Sequence, residues 1–282
     1  MKRNLKDFSD LIRYYTLNEL GRLGYGHYGG ALSIVETMAV LYGEEMKYDV
    51  KNPKDENRDY FILSKGHAGP SYYATLALSG FFPLEKLNTL NENGTHLPSH
   101  PDRQKVEGVD MTTGSLGQGI SAAAGVAYYL KTKRKNNRVY CIVGDGELNE
   151  GQCWEAFMFI AHHNLNNLVV LIDDNKKQLD GYTKDICNMF DLEKKFESFG
   201  FNAVTVKGND VDSIRKGLRV ARDTSERPTA IILDTIKGAG VEYIENTMSN
   251  HHMRLDEEAK IEINKTIKEL HDSLVERGVL ND

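Results

Sequence analysis

The chain has 282 residues, 40% hydrophobic and 27% charged, enough apolar material for one large α/β core and unlike the composition of disordered or membrane-spanning chains. Its net charge of -6 leaves no basic excess to neutralise a phosphate backbone, which argues against nucleic acid as a partner. No apolar run approaches a bilayer span, and Met1-Lys2-Arg3-Asn4 leads into a charged helix, not a secretory segment; a cytoplasmic protein without membrane contact is expected. Cys141, Cys153 and Cys187 are odd in number and outside any C-x-x-C spacing, so they read as buried small hydrophobes, not as disulfides or zinc ligands. With six prolines and no linker-like tract, one domain over residues 1–282 is expected.

Taken in order, Phe8, Leu11, Ile12, Tyr15, Leu20 and Leu23 fall at helical spacing from Lys6 to Gly24. Gly26-His27-Tyr28-Gly29-Gly30 follows, a glycine hinge that places His27 either in a surface turn or at a site, and then a helical pattern runs from Leu32 to Tyr42. Tyr60 to Leu63 reads as a short strand delivering Ser64-Lys65-Gly66-His67-Ala68, where a cation and an imidazole flank a glycine that permits close backbone approach; this suits a diphosphate. Tyr72, Tyr73, Leu76 and Leu78 read as core. After His96-Leu97-Pro98-Ser99-His100-Pro101 comes Thr112-Thr113-Gly114-Ser115-Leu116-Gly117-Gln118-Gly119, whose glycines let main chain press on a ligand and whose following helix start offers free N–H groups.

Val139 to Val143 is a β-branched apolar run of the kind buried in parallel sheets, broken by Gly144-Asp145-Gly146. A helix is expected from about Gln152 to Asn164, with Trp154, Phe157, Met158 and Ala161 on one face, and Glu150 and Glu155 complementing its dipole near the start. A second buried strand, Leu168 to Ile172, ends in Asp173-Asp174-Asn175. A right-handed β-α-β crossover sets Asp145 and Asn175 at the carboxyl ends of neighbouring parallel strands, where open α/β sheets bind ligands. Magnesium takes hard oxygens and few protein ligands; Asp145 offers a carboxylate, Asn175 an amide oxygen, and Lys177 a main-chain carbonyl. Further strands are expected over 199–207 and 229–234, separated by a helix from Asp210 to Asp223. Thr235-Ile236-Lys237-Gly238-Ala239-Gly240 and Asn250-His251-His252 follow, and an amphipathic helix over 256–278 carries Ile263, Ile267, Leu270, Leu274 and Val275.

GDG followed at this distance by Asn resembles the thiamin diphosphate signature, and GDGELNEGQCWEA, SKGHA, TTGSLGQG and KGAG together resemble the transketolase family over nearly the whole chain. The resemblance implies an open, mostly parallel α/β sheet with helices on both faces. It implies thiamin diphosphate with Mg2+, or another divalent cation such as Ca2+ or Mn2+, as cofactor. Asp145, Asn175 and Lys177 would hold the metal. The cofactor would be bound by Lys65, His67, Gly114, Ser115, Leu116, Gly144, Asp145, Gly146, Glu150, Glu155, Asn175, Leu179, Lys237 and His251. His27, His67, His100 and His251 would move protons on sugar hydroxyls, and Glu155 would lie near the subunit interface.

Three positions depart from the family pattern: Tyr28 stands where a proline is usual, Lys177 where many relatives have an aliphatic residue, and NHH where WHG is usual, so that His252 is an alternative to His251. The glutamate that activates the aminopyrimidine belongs in this family to a separate pyrimidine-binding domain, and the sequence stops at Asp282. The resemblance therefore implies the N-terminal subunit of a two-component transketolase acting on sugar phosphates, completed by a C-terminal subunit in an α2β2 assembly. Two alternatives are the cofactor-binding subunit of a 2-oxo acid dehydrogenase or decarboxylase and a non-catalytic thiamin-diphosphate-binding scaffold. SKGHA, TTGSLGQG and KGAG argue against the first; Tyr28 and Lys177 favour the second.

Overall fold

The computed structural model describes residues 4–281; Met1 to Arg3 and Asp282, with the expected start and end of the chain, lie outside them. The strands are β1 (Tyr25–Gly26), β2 (Tyr60–Leu63), β3 (Val139–Gly144), β4 (Leu168–Asp174), β5 (Asn202–Lys207), β6 (Thr229–Asp234) and β7 (Met253–Arg254). Five of them form a parallel sheet in the order β2-β3-β4-β6-β5, and β1 pairs with β7 in a separate antiparallel ladder.

Alternation along the strands feeds two apolar layers. Val139, Cys141, Val143, Leu168, Val170 and Ile172 face the helices Gln118–Thr132, Gly151–His162 and Leu192–Ser198. Tyr140, Ile142, Val169, Leu171, Ile231 and Leu233 face the helices Leu5–Leu23, Val35–Val40, Gly69–Ser79 and Val211–Asp223. The chain steps in one direction from β2 to β5 and only then back to β6. Right-handed crossovers therefore put the Val211–Asp223 helix on the face opposite the helices Gln118–Thr132, Gly151–His162 and Leu192–Ser198. A sheet covered on both faces needs apolar residues on both, which is why β3 and β4 read as unbroken runs.

Several boundaries follow local chemistry. Asn4 caps the first helix by accepting from the N–H groups of Lys6 and Asp7, and Gly24 closes it in the left-handed conformation. Asp210 and Asp256 cap their helices through Ser213 N–H and Ala259 N–H. The strand expected over 199–207 begins only at Asn202, because Phe199 ends the preceding helix and Phe201 turns into the core. The pattern from Leu32 to Tyr42 is split: helices Tyr28–Leu32 and Val35–Val40 are separated by Ser33 and Ile34, and Leu41–Glu45 widens into a π turn. Cys141 and Cys153 are buried, but Cys187 is exposed, since it ends a one-turn helix at the surface. Met158 is also exposed; Cys153, Ala156, Phe157 and Ile160 form the buried stripe instead. No helix among the described residues is long and apolar enough to cross a membrane.

Candidate active site

The registers Leu63↔Ile142, Gly144↔Asp173 and Asp174↔Asp234 make the strands end nearly flush, so the loops after β2, β3, β4 and β6 meet at one edge. There a cavity of about 240 Å3 is lined by Lys65, His67, Leu116, Gly144, Asp145, Gly146, Glu147, Asn175, Lys177, Gln178, Leu179, Asp180, Lys237 and His251.

Asp145 is almost fully buried. Its Oδ1 accepts from Gly146 N–H at 2.8 Å, while Oδ2 is buried with no hydrogen-bond partner among the described residues. Burial, then the charges of Asp173 and Asp174, push its pKa up to about 7. A buried carboxylate oxygen without a donor calls for a cation. Asn175 lies beside it: its Nδ2 donates to Asp173 Oδ2 at 2.8 Å, which settles the amide orientation, and its Oδ1 accepts from Lys177 N–H at 3.1 Å. Lys237 Nζ donates to the Lys177 carbonyl at 2.9 Å and sits 3.1 Å from His251 Nδ1. Burial lowers the Lys237 pKa to about 8, against the opposing pull of Asp145 and Asp173. The donor set is a carboxylate, an amide oxygen and a main-chain carbonyl in a cavity with two buried lysines and two histidines. Such a set would suit a hard divalent ion with an anionic ligand beside the lysines.

Lys65 is buried and paired with Asp173, and its ammonium also donates to the Gly30 carbonyl at 2.8 Å. Asp173 further accepts from Ser33 Oγ, Asn175 Nδ2 and Thr235 Oγ1. Burial alone raises a carboxyl, yet Lys65 and these donors hold Asp173 below its ordinary value. Glu147 is the second buried anchor. Its carboxylate accepts from Ser64 Oγ at 2.6 Å, Gly117 N–H at 2.8 Å and Gly144 N–H at 3.1 Å, tying the loops after β2 and β3 to the glycine-rich turn. A Cβ on Gly66 would come within 2.8 Å of the Gly114 nitrogen, so only glycine lets these two loops touch. Neither Asp173 nor Glu147 is among the expected site residues. The signal for Glu147 was its place inside GDGELNEG, and for Asp173 the doubled aspartate at the end of β4.

His27, His67, His100 and His251 come together: the His27 ring lies 5.5 Å from those of His67 and His251 and 5.6 Å from that of His100. His67 and His251 are 4.7 Å apart. Burial, reinforced by neighbouring cations, lowers His27 to about 4 and His251 to about 3, and drives His67 well down; burial also lowers His100. All four are therefore neutral at pH 7, able both to donate and to accept. Tyr28 is fully buried and its backbone starts a short helix, so it shapes the His27 turn from within the core. Leu116 lines the cavity, Gly114 packs on His100, and Ser115 is exposed at the turn. The Lys177 ammonium donates to the Glu245 carbonyl at 2.9 Å, while its own main-chain carbonyl accepts from Lys237. Leu179 lines the rim and is 62% exposed. Glu150 and Glu155 are exposed at the start of the Gly151–His162 helix and do not line the cavity; His96 is likewise exposed.

A parallel α/β sheet that gathers oxygen ligands, a buried lysine and neutral imidazoles at its carboxyl edge defines a cofactor-binding enzyme domain of the diphosphate-binding class. The chain belongs to the transketolase family: the family model for the transketolase thiamine diphosphate binding domain matches residues 5–271. It is 47% identical over 255 residues to the 6-deoxy-6-sulfo-D-fructose transketolase subunit SqwG of Clostridium sp. (strain MSTE9), covering 90% of this chain and 93% of that one. It is 39% identical over 227 residues to one of the subunits of the apulose-4-phosphate transketolase of Actinobacillus succinogenes, covering 80% and 82%. The solved transketolase of Campylobacter jejuni superposes with a TM-score of 0.86 at 28% identity, covering 95% of this chain and 43% of that structure's chain. The chain thus spans less than half the length of that structure.

Proposed function

We propose that this chain binds Mg2+ and thiamin diphosphate in the cavity at the carboxyl edge of the sheet and, with a second polypeptide, transfers a two-carbon ketol unit from a ketose to an aldose. The observation that carries this reading is the orphaned Oδ2 of Asp145, buried beside Asn175 and the Lys177 carbonyl in a cavity that also holds Lys237, His67 and His251. When bound, the cofactor supplies the carbon nucleophile and the electron sink for cleaving the bond beside a ketose carbonyl. Everything else falls to the protein. Asp145, Asn175 and the Lys177 carbonyl hold the metal. Lys237 neutralises phosphate charge, and Lys65, through Asp173, keeps the loops that carry these groups in place. The neutral imidazoles of His27, His67, His100 and His251 accept and return protons of sugar hydroxyls, and apolar Leu116 and Leu179 border the ring region.

Two relatives of this length are named as subunits, which supports a partner chain; in this reading the partner supplies the pyrimidine-binding region and two copies of each chain assemble. Their names also support a donor that ends in an anionic group, a sulfonate or a phosphate. The test is to purify the chain alone and together with candidate partner subunits and assay ketol transfer from ketose phosphates with thiamin diphosphate and Mg2+. Turnover only in the presence of a partner supports the proposal. Full turnover by the chain alone contradicts the two-subunit part, and turnover of 2-oxo acids in place of ketoses contradicts the reaction.

A further inference from the structure

The antiparallel ladder between β1 and β7 sets Tyr25 against Arg254 and Gly26 against Met253. Continued by one pair, that register brings His27 against His252. The rings follow the backbone: they lie 4.8 Å apart at 80°, closer than His27 comes to His67, His251 or His100. His252 is exposed, and the Tyr25 ring extends the same wall 6.2 Å further. His67 and His251 line the diphosphate cavity, whereas His27 and His252 do not. The imidazoles therefore run in file from the cavity through His27 to the solvent side. An exposed histidine alone is commonplace; one held by strand register against a site histidine is not.

We infer that His252 is a further substrate-contacting residue, paired with His27 to bracket neighbouring hydroxyls of an open-chain ketose just outside the diphosphate cavity. The inference rests on the ketol-transfer reading and adds to it what this pair recognises: the hydroxylated chain of the sugar, not its anionic end. An imidazole presents two ring nitrogens for hydrogen bonding, so two rings at 4.8 Å offer partners for a pair of adjacent hydroxyls. Only the β1–β7 ladder is needed to hold the pair, and its hydrogen bonds are main-chain, so removing the His252 ring leaves the frame standing.

The experiment uses the complex of this chain with its partner subunit, loaded with Mg2+ and thiamin diphosphate, and compares the parent with His252→Gly and His252→Gln. For D-fructose 6-phosphate, His252→Gly is expected to raise KM about tenfold, the loss of one hydrogen bond of ~1.4 kcal/mol. The kcat and the cofactor affinity stay within about twofold, and His252→Gln recovers most of the loss because its amide both donates and accepts. With 4-deoxy-D-fructose 6-phosphate the parent and His252→Gly are expected to converge. An unchanged KM, or a fall in cofactor affinity equal to the change in KM, overturns the inference. If the parent complex shows no ketol transfer, the proposed reaction fails, and the inference is read from the His252 imidazole resonance during titration with D-fructose 6-phosphate. A shifted resonance upholds it; an unmoved one overturns it.

Discussion

Replacing Asp145 with asparagine is expected to make the cofactor-free protein more stable and the cofactor-bound protein less so. Burial beside Asp173 and Asp174 moves this carboxyl from 3.8 to about 7, so its ionised form is disfavoured in the folded state by on the order of 4 kcal/mol. The sign follows from the raised value: the contribution to stability is present below about pH 4 and is lost as pH climbs through 7. Asparagine removes the charge and keeps the shape, so at pH 8 without cofactor the variant gains about 2–4 kcal/mol, several degrees in Tm for a chain of this size. At pH 4 the two proteins nearly coincide, and at pH 5 the variant leads by only ~1.6 kcal/mol. Adding Mg2+ and thiamin diphosphate reverses the order, because the metal has lost its carboxylate ligand. Differential scanning fluorimetry across pH 4–8, with and without cofactor, reads all of this. A variant no more stable than the parent at pH 8 refutes the electrostatic argument, and equal stabilisation of both by cofactor refutes the metal assignment.

Other substitutions probe the scaffold. Glu147→Ala strands the Ser64 hydroxyl and two main-chain N–H groups, and is expected to cost about 3 kcal/mol or more in urea unfolding; a loss under ~1 kcal/mol contradicts its role as the tie between loops. Lys65→Met leaves Asp173 as an unpaired buried charge, for an expected loss of ~3–5 kcal/mol that Lys65→Met with Asp173→Asn partly restores. Lys177→Leu keeps the main-chain carbonyl and gives up the bond to Glu245 and the contact with the Tyr182 ring, both outside the donor set, so calorimetry is expected to show Mg2+-supported cofactor binding within about threefold of the parent. A loss of a hundredfold would mean that the side chain itself enters the site.

What was legible in the sequence was what short-range chemistry dictates. The runs of β3 and β4 announce buried parallel strands because both faces of the sheet are covered, and residues 60–63 and 229–234 match β2 and β6 in their bounds. Asp145, Asn175, Lys237 and the four histidines stand at strand ends and loop turns, and the fold draws them to one edge. Long-range pairing was not legible. Glu147 was one acid among several in GDGELNEG until Ser64, Gly117 and Gly144 converged on it. Lys65 read as a group approaching phosphate and does line the cavity, but its pairing with Asp173 and the Gly30 carbonyl is something no local pattern reveals. The two-residue strands β1 and β7 are too short for periodicity to register, yet they decide which histidines are neighbours. Likewise, Lys177 signalled a departure from pattern, and only the position of Glu245 shows where its side chain goes.

The most direct measurement is the structure of this chain with Mg2+ and thiamin diphosphate bound. The account predicts one metal ion bonded to Asp145 Oδ2, Asn175 Oδ1 and the Lys177 carbonyl at ~2.0–2.1 Å, with phosphate oxygens and water completing its octahedral shell. A diphosphate seated away from β3 and β4, or a metal that ignores the buried carboxylate of Asp145, would contradict it.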